Sequence, residues 1–504
     1  MPQEFLTNIN INQPNSGDSK ILGQVTLVLQ INKLKVFEGK VRSWCHCQVS
    51  ALNIGVILLA ANMTLGLVSF VAYQHSFAQS NGNDNIIANQ VRFSEPANLT
   101  NNARDSVYAQ VASSGENVYI VWQENPPSGF SSQRDGLINY EIFIKKSVDG
   151  GQTFGDEINL SNNPGFSEHP QIAASGNNVY VAWIDNSPLV GLVGSSSQAE
   201  DNKKIMFKKS TDAGNTFGDT ITLSDVQAAD SSNLEMAAAG NNVYAVWQVT
   251  PLPPKFNADP DNAQSVGVFL AMSSDNGETF QEAKSLSNNV LKSYPKVAAY
   301  QNKVFVIWNV GIIGDNTSPE SDNKNNINNN DSSSIDNGIY LTKSFDSGRT
   351  FDDTLKLNAD WNSVGESQIA ASGDSVYVVW GGNPDEKVAG NLFYTSSLDN
   401  GVNFSAARAL TERNTLNAEV ATSNNGNEVY LAWQGILPDD NEEIFVKKSA
   451  DNGATFTEAS ENVSNNEGIS ECTSISISED SREVYLAWED SPSGNHEILF
   501  VRNL

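Results

Sequence analysis

One short pattern returns seven times along this chain of 504 residues: valine, an aromatic, two apolar residues and a tryptophan. It first reads Val118-Tyr119-Ile120-Val121-Trp122, and it recurs at Val179–Trp183, Val243–Trp247, Val304–Trp308, Val376–Trp380, Val429–Trp433 and Val484–Trp488. Successive tryptophans lie 53 to 72 residues apart. Runs of β-branched and aromatic residues, apolar at nearly every position, predict strands buried on both faces. A unit with such a strand cannot cover itself, so seven units must stack on one another. Turn-rich composition, with 36 Gly and nine Trp, agrees with an all-β chain and excludes helix bundles and coiled coils.

Each unit carries more than its tryptophan strand. A short strand precedes it, as in Gln171-Ile172-Ala173-Ala174 and Gln368-Ile369-Ala370-Ala371, and a third follows after a loop of variable length, as in Glu141-Ile142-Phe143-Ile144. The third strand runs into a second motif, Ser-x-Asp-x-Gly-x-Thr-Phe, whose acidic residues are Asp149, Asp212, Asp275, Asp346, Asp399 and Asp451. Asn403 stands for Thr in the fifth copy. An Asp two residues before a Gly predicts a hairpin staple: the carboxylate takes nearby backbone N–H groups while Gly adopts positive φ. A fourth short strand, such as Glu157–Ser161, closes the unit.

On these six motifs, residues 91–504 resemble the Asp-box, or bacterial neuraminidase repeat, proteins of the sialidase superfamily. The resemblance implies a β-propeller of four-stranded antiparallel blades. In that family the boxes are structural and lie on the face opposite the ligand site. Seven tryptophan strands predict seven blades, whereas true sialidases have six. The seventh unit ends without a box or a fourth strand. Because Glu95-Pro-Ala-Asn-Leu-Thr-Asn-Asn102 matches Glu157-Ile-Asn-Leu-Ser-Asn-Asn163, residues 91–100 are expected to complete that blade and close the ring.

Ahead of the propeller, residues 51–73 hold no charged side chain and are long enough to span a membrane as a helix. Lys33, Lys35, Lys40 and Arg42 precede them, which places the C-terminal body on the extracytoplasmic side. The expected division is a cytoplasmic tail or unused upstream start (1–50), a transmembrane anchor or a signal peptide cleaved after Ala78 (51–78), a linker (79–90) and the propeller (91–504). Five basic and four acidic residues precede 91, so the body holds 25 basic against 55 acidic residues, net −30. A field of that sign repels nucleic acid and anionic headgroups. Cys472 is the one cysteine of the body, and no disulfide framework is available to it. Sequons at Asn98, Asn159, Asn403 and Asn462 agree with export.

Antiparallel blade topology puts the boxes on one face and the long loops on the other, including the stretch 309–337, rich in Asn, Asp and Ser. Around the axial opening of the loop-bearing face, the residues that begin the inner strands form a ring: Tyr108, His169, Asn233, Tyr294, Glu366, Asn417 and Cys472. Deeper lie Gln110, Gln171, Glu235, Lys296, Gln368, Glu419 and Ser474. Such groups suit a glycan or a peptide, or line a water-filled channel. Rim carboxylates Glu124, Asp185, Glu489 and Asp490 admit Ca²⁺ but show no ordered ligand spacing, so no cofactor is expected. Sialidase chemistry needs an arginine triad, a tyrosine nucleophile with a glutamate base, and an acid. Arg104, Arg134 and Arg413, with Tyr108 or Tyr294 and Glu366, are the residues available for it, but the family's Arg-Ile-Pro motif is missing and the net charge opposes an anionic sugar. The sequence therefore reads as a monomeric, non-catalytic glycan- or protein-binding module, with exo-α-sialidase-type hydrolysis as the alternative.

Overall fold

The computed structural model describes residues 91–126, 139–163, 165–186, 203–224, 229–251, 267–287, 293–310, 338–358, 364–382, 390–411, 415–480, 482–491 and 494–504. It also shows a separate two-stranded antiparallel ladder in the N-terminal unit, Gln24–Leu27 with Cys47–Ser50. The proposed span 51–73 and cleavage site lie outside these residues. Among the described residues no helix is long and apolar enough to cross a membrane.

The body consists of seven four-stranded antiparallel sheets. The first blade comprises Asp105–Ser114, Asn117–Asn125, Glu141–Ser147 and Ile158–Asn159, and the next five repeat that order along the chain. In the seventh, Ser470–Ile477, Val484–Asp490 and Glu497–Arg502 are completed by Ala97–Asn98, with Ala97 opposite Phe500 and Asn98 opposite Leu499. First strands touch first strands from blade to blade and so surround the axis. The fourth strands are shorter than expected, two residues each. Short outer edges leave little unpaired backbone for another chain to join.

Alternation along the second strand explains why it is apolar throughout. Val118, Ile120 and Trp122 face the seventh blade, while Tyr119 and Val121 face the second. Every junction between blades has its own apolar cluster of this kind. All seven tryptophans of the repeated motif are buried. Truncating one to alanine is expected to cost about 3–5 kcal/mol, read as a loss of denaturant midpoint.

The six Ser-x-Asp-x-Gly motifs share one geometry. In the first, Asp149 Oδ1 accepts from Ser147 Oγ at 2.7 Å and from the Thr153 N–H at 2.9 Å, and Thr153 Oγ1 donates to Asp149 Oδ2 at 2.6 Å. Asn403 Nδ2 replaces the threonine hydroxyl at 2.7 Å from Asp399. The Thr153 hydroxyl and amide hold the Asp149 carboxyl down at about 2.

Their wider role differs from that of a local staple. The motif's Phe packs on the preceding blade: Phe154 on Phe500, Phe280 on Phe207 and Phe456 on Tyr394, all edge-on at 4.9–5.0 Å. The motif's Gly lies against the same aromatics. A Cβ on Gly151 would stand 2.7 Å from Phe500, and one on Gly277 2.9 Å from Phe207. Each box is thus a contact between blades, and the box of the first blade rests on the last.

Candidate functional site

The inner strands do not run straight. In blades one, two, three, six and seven a bulge interrupts the pairing, and its first residue takes a left-handed backbone: Tyr108 at φ 56°, His169 at 50°, Asn233 at 52°, Asn417 at 45° and Cys472 at 48°. These are five of the seven ring positions expected from sequence. Bulges re-aim a side chain, and positive φ costs a non-glycine residue about 1–2 kcal/mol. Glu366 lies at a bulge displaced by one residue, with Gly365, and without positive φ. Tyr294 precedes the strand Lys296–Tyr300 and has no bulge.

A polar side chain immediately after the tryptophan holds the next blade in place. Glu489 Oε1 accepts the Tyr108 N–H; Gln123 Oε1 accepts that of His169 at 3.1 Å, and Gln248 Oε1 that of Ser293 at 3.1 Å. Asn309 accepts from the Ser367 hydroxyl at 2.5 Å and donates to the Gly365 carbonyl. Of these, only Glu489 was singled out from sequence. Trp-Gln, Trp-Glu and Trp-Asn pairs recur visibly, but their partner sits on another repeat.

The rim carboxylates are engaged by donors. Asp490 Oδ2 accepts from Trp488 Nε1 at 3.1 Å, Ser470 Oγ at 2.6 Å and Asn466 Nδ2 at 2.7 Å. Asp185 Oδ2 accepts from Trp183 Nε1, Ser167 Oγ and Asn163 Nδ2, and Glu124 from Trp122 Nε1, Ser106 Oγ and Asn102 Nδ2. Each asparagine lies on the connection from the preceding blade, so these carboxylates clasp neighbouring blades at three successive junctions. Among the described residues no group of three or more His, Cys, Asp or Glu could hold a metal ion.

Deeper in the axis, Lys296 Nζ lies 2.8 Å from Glu235 Oε2, and Gln368 Nε2 donates to Glu419 Oε2 at 2.9 Å. Gln110 Oε1 accepts from the Ser474 hydroxyl at 3.2 Å. Burial pushes the Glu419 carboxyl up to about 8 although the Lys296 ammonium pulls the other way. A carboxyl raised on folding supports the fold below its unfolded value near 4.5, and that support fades as pH rises through about 8. Glu419→Gln is expected to flatten the decline in denaturant midpoint between those values; an unchanged decline would remove Glu419 as its source.

At the mouth, Tyr108 is 38% exposed and its ring centroid lies 4.2 Å from that of His169. Burial keeps His169 below its usual range, hence neutral near pH 7. Burial, opposed by the Tyr108 N–H and other groups, raises Glu489 to about 7, and burial also raises the Cys472 thiol. Two nearby lysines are engaged, Lys203 with Glu168 at 2.9 Å and Lys296 with Glu235, and His496 Nδ1 stands 3.8 Å from Asp105.

No family model matches the chain, and no curated protein matches it. Solved structures resemble it in fold. A protein of unknown function from Dyadobacter fermentans has a TM-score of 0.47 at 11% identity, covering 82% of this chain and 99% of that one. Trypanosoma rangeli sialidase, in complex with 2,3-difluorosialic acid, has 0.44 at 11% identity, covering 82% of this chain and 59% of that one. A Hadza microbial sialidase has 0.42 at 12% identity, covering 79% and 66%. Scores of this size assign neither family nor activity.

Of the residues a sialidase mechanism would need, Arg104 lies immediately before the first inner strand, while Arg134 and Arg413 lie outside the described residues. Burial raises the Tyr294 phenol, and the charge of Glu366 on the next blade adds to it.

Proposed function

We propose that the chain is an extracytoplasmic recognition module that binds a glycan or a protein segment at the loop-bearing mouth of the ring. The supporting observation is the set of five left-handed bulges, which hold Tyr108, His169, Asn233, Asn417 and Cys472 at equivalent positions. A constant, strained backbone presenting a different side chain from each blade suits recognition, since strain of this kind persists where a site is pre-organised. Gln171, Glu235, Lys296, Gln368 and Glu419 form the floor of that site, with Tyr294 and Glu366 beside its mouth. Export rests on the uncharged stretch 51–73 and its basic flank; exclusion of nucleic acid rests on charge. Protease shaving of intact cells would remove the body if it is outside and spare it if it is not.

The second reading, hydrolysis of a sialoside, draws on Tyr294 and Glu366, a phenol and a carboxylate at neighbouring ring positions. Against it, both influences on Tyr294 oppose forming the phenolate. Incubating the purified body with a fluorogenic sialoside decides between them. Binding on a glycan array or in a pull-down without release of fluorophore is the expected result. Turnover that disappears in Arg104→Ala or Tyr294→Phe would overturn it.

A further inference from the structure

Hydrogen-bond accounting at the mouth narrows the ligand. Asn233 Nδ2 donates to the Ser293 carbonyl at 2.7 Å and to Gln248 Oε1 at 2.9 Å. A carbonyl can only accept, and Gln248 Oε1 is itself fixed by the Ser293 N–H, so this amide cannot be turned around. Both Asn233 donors are consumed, and its Oδ1 remains. On the sixth blade the logic repeats. Gln434 Nε2 donates to the Glu442 carboxylate, which fixes Gln434 Oε1 toward Asn417 Nδ2 at 2.6 Å; the second Asn417 hydrogen faces Cys472 Sγ at 3.8 Å. Asn417 also keeps only its Oδ1.

Between these two amides, on the fifth blade, stands Glu366, whose exposed carboxylate can only accept. The Lys296 and Lys203 ammonium groups are already paired. Across the opening, Tyr108 offers an exposed aromatic face beside neutral His169. The mouth therefore presents fixed acceptors on blades three, five and six and a π surface on blade one, beside the Tyr108 and Tyr294 hydroxyls, which donate or accept. A partner must bring donors on several sides and a flat face. A lysine side chain brings one head group; an amino sugar brings an ammonium, a ring of hydroxyls and an apolar ring face.

We propose that this mouth binds a glycan bearing free amino groups, of glucosamine type, with the ammonium taken by Glu366 and the hydroxyls by Asn233 and Asn417 Oδ1. This rests on the recognition reading above and adds the ligand's chemistry to it.

The test is calorimetric titration of the purified body with a glucosamine oligomer, its N-acetylated counterpart and sialyllactose. The glucosamine oligomer should bind and weaken with added salt, and the N-acetylated oligomer should bind roughly tenfold less tightly or worse, since a charged hydrogen bond is lost. Glu366→Gln should reduce glucosamine affinity by about as much, with the melting temperature measured beside it to separate lost binding from lost folding, since the side chain makes no hydrogen bond or ion pair to another described residue. Equal affinity for the N-acetylated oligomer, preference for sialyllactose, or undiminished affinity in Glu366→Gln would each overturn the assignment. So would silence toward all three sugars. Protein capture would then still uphold recognition, and sialoside turnover would remove both readings.

Discussion

Replacing Gly453 by alanine is expected to destabilise the propeller by roughly 3 kcal/mol or more. Two costs combine there. The backbone at Gly453 has φ 74°, and a Cβ would stand 1.7 Å from the Tyr394 hydroxyl oxygen and 2.8 Å from Tyr394 Cζ. Tyr394 has nowhere to go: it stacks on Tyr377 at 6.4 Å and meets Phe456 edge-on at 5.0 Å. Gly176 supplies the control. It has φ 57° and open space where its Cβ would be, so Gly176→Ala reports strain alone, about 1–2 kcal/mol. Urea unfolding of both variants measures the difference. If the two losses are equal, the box glycines serve their own turn only and the contact between blades is incidental.

Asp490→Ala should cost about 3–5 kcal/mol, because it strands three donors that one carboxylate now serves. The residue is fully buried, and the Trp488 indole, the Ser470 hydroxyl and the Asn466 amide all point at Oδ2. Asp480 is the contrast. Its exposed carboxylate accepts from Ser478 Oγ at 2.8 Å, and Asp480→Ala should cost less than about 1 kcal/mol. Chelator gives a second, independent reading of the same carboxylates. If they are clasps, EDTA leaves the melting temperature unchanged; a fall would show that they serve a cation instead.

The contrast between these residues shows how far sequence reading reaches. Seven valine–tryptophan runs are local patterns with a period, so blade number and the burial of Trp122 or Trp488 follow from them directly. The ring positions at Tyr108, His169 and Asn233 were legible by aligning repeats. Their left-handed bulges were not, because a bulge is a mismatch between two strands and no single residue type demands it. The box was read correctly as a turn, with Asp149 taking Thr153 N–H. Its second role escaped, since Phe154 finds Phe500 nearly the whole body away in sequence. Glu124, Asp185 and Asp490 invited a cation for the same reason: a carboxylate's identity is local, but its partners Asn102, Asn163 and Asn466 come from a connection between blades.

Among the described residues those partners lie at consecutive junctions. The asparagine–carboxylate clasp occurs between blades six and seven, seven and one, and one and two, so it flanks the point where the two ends of the body meet. A ring sewn from a single thread is ordinarily weakest at its knot. Here stitches lie on both sides of the knot, so the meeting point of the two ends is held by side chains as well as by the pairing of Ala97 with Phe500.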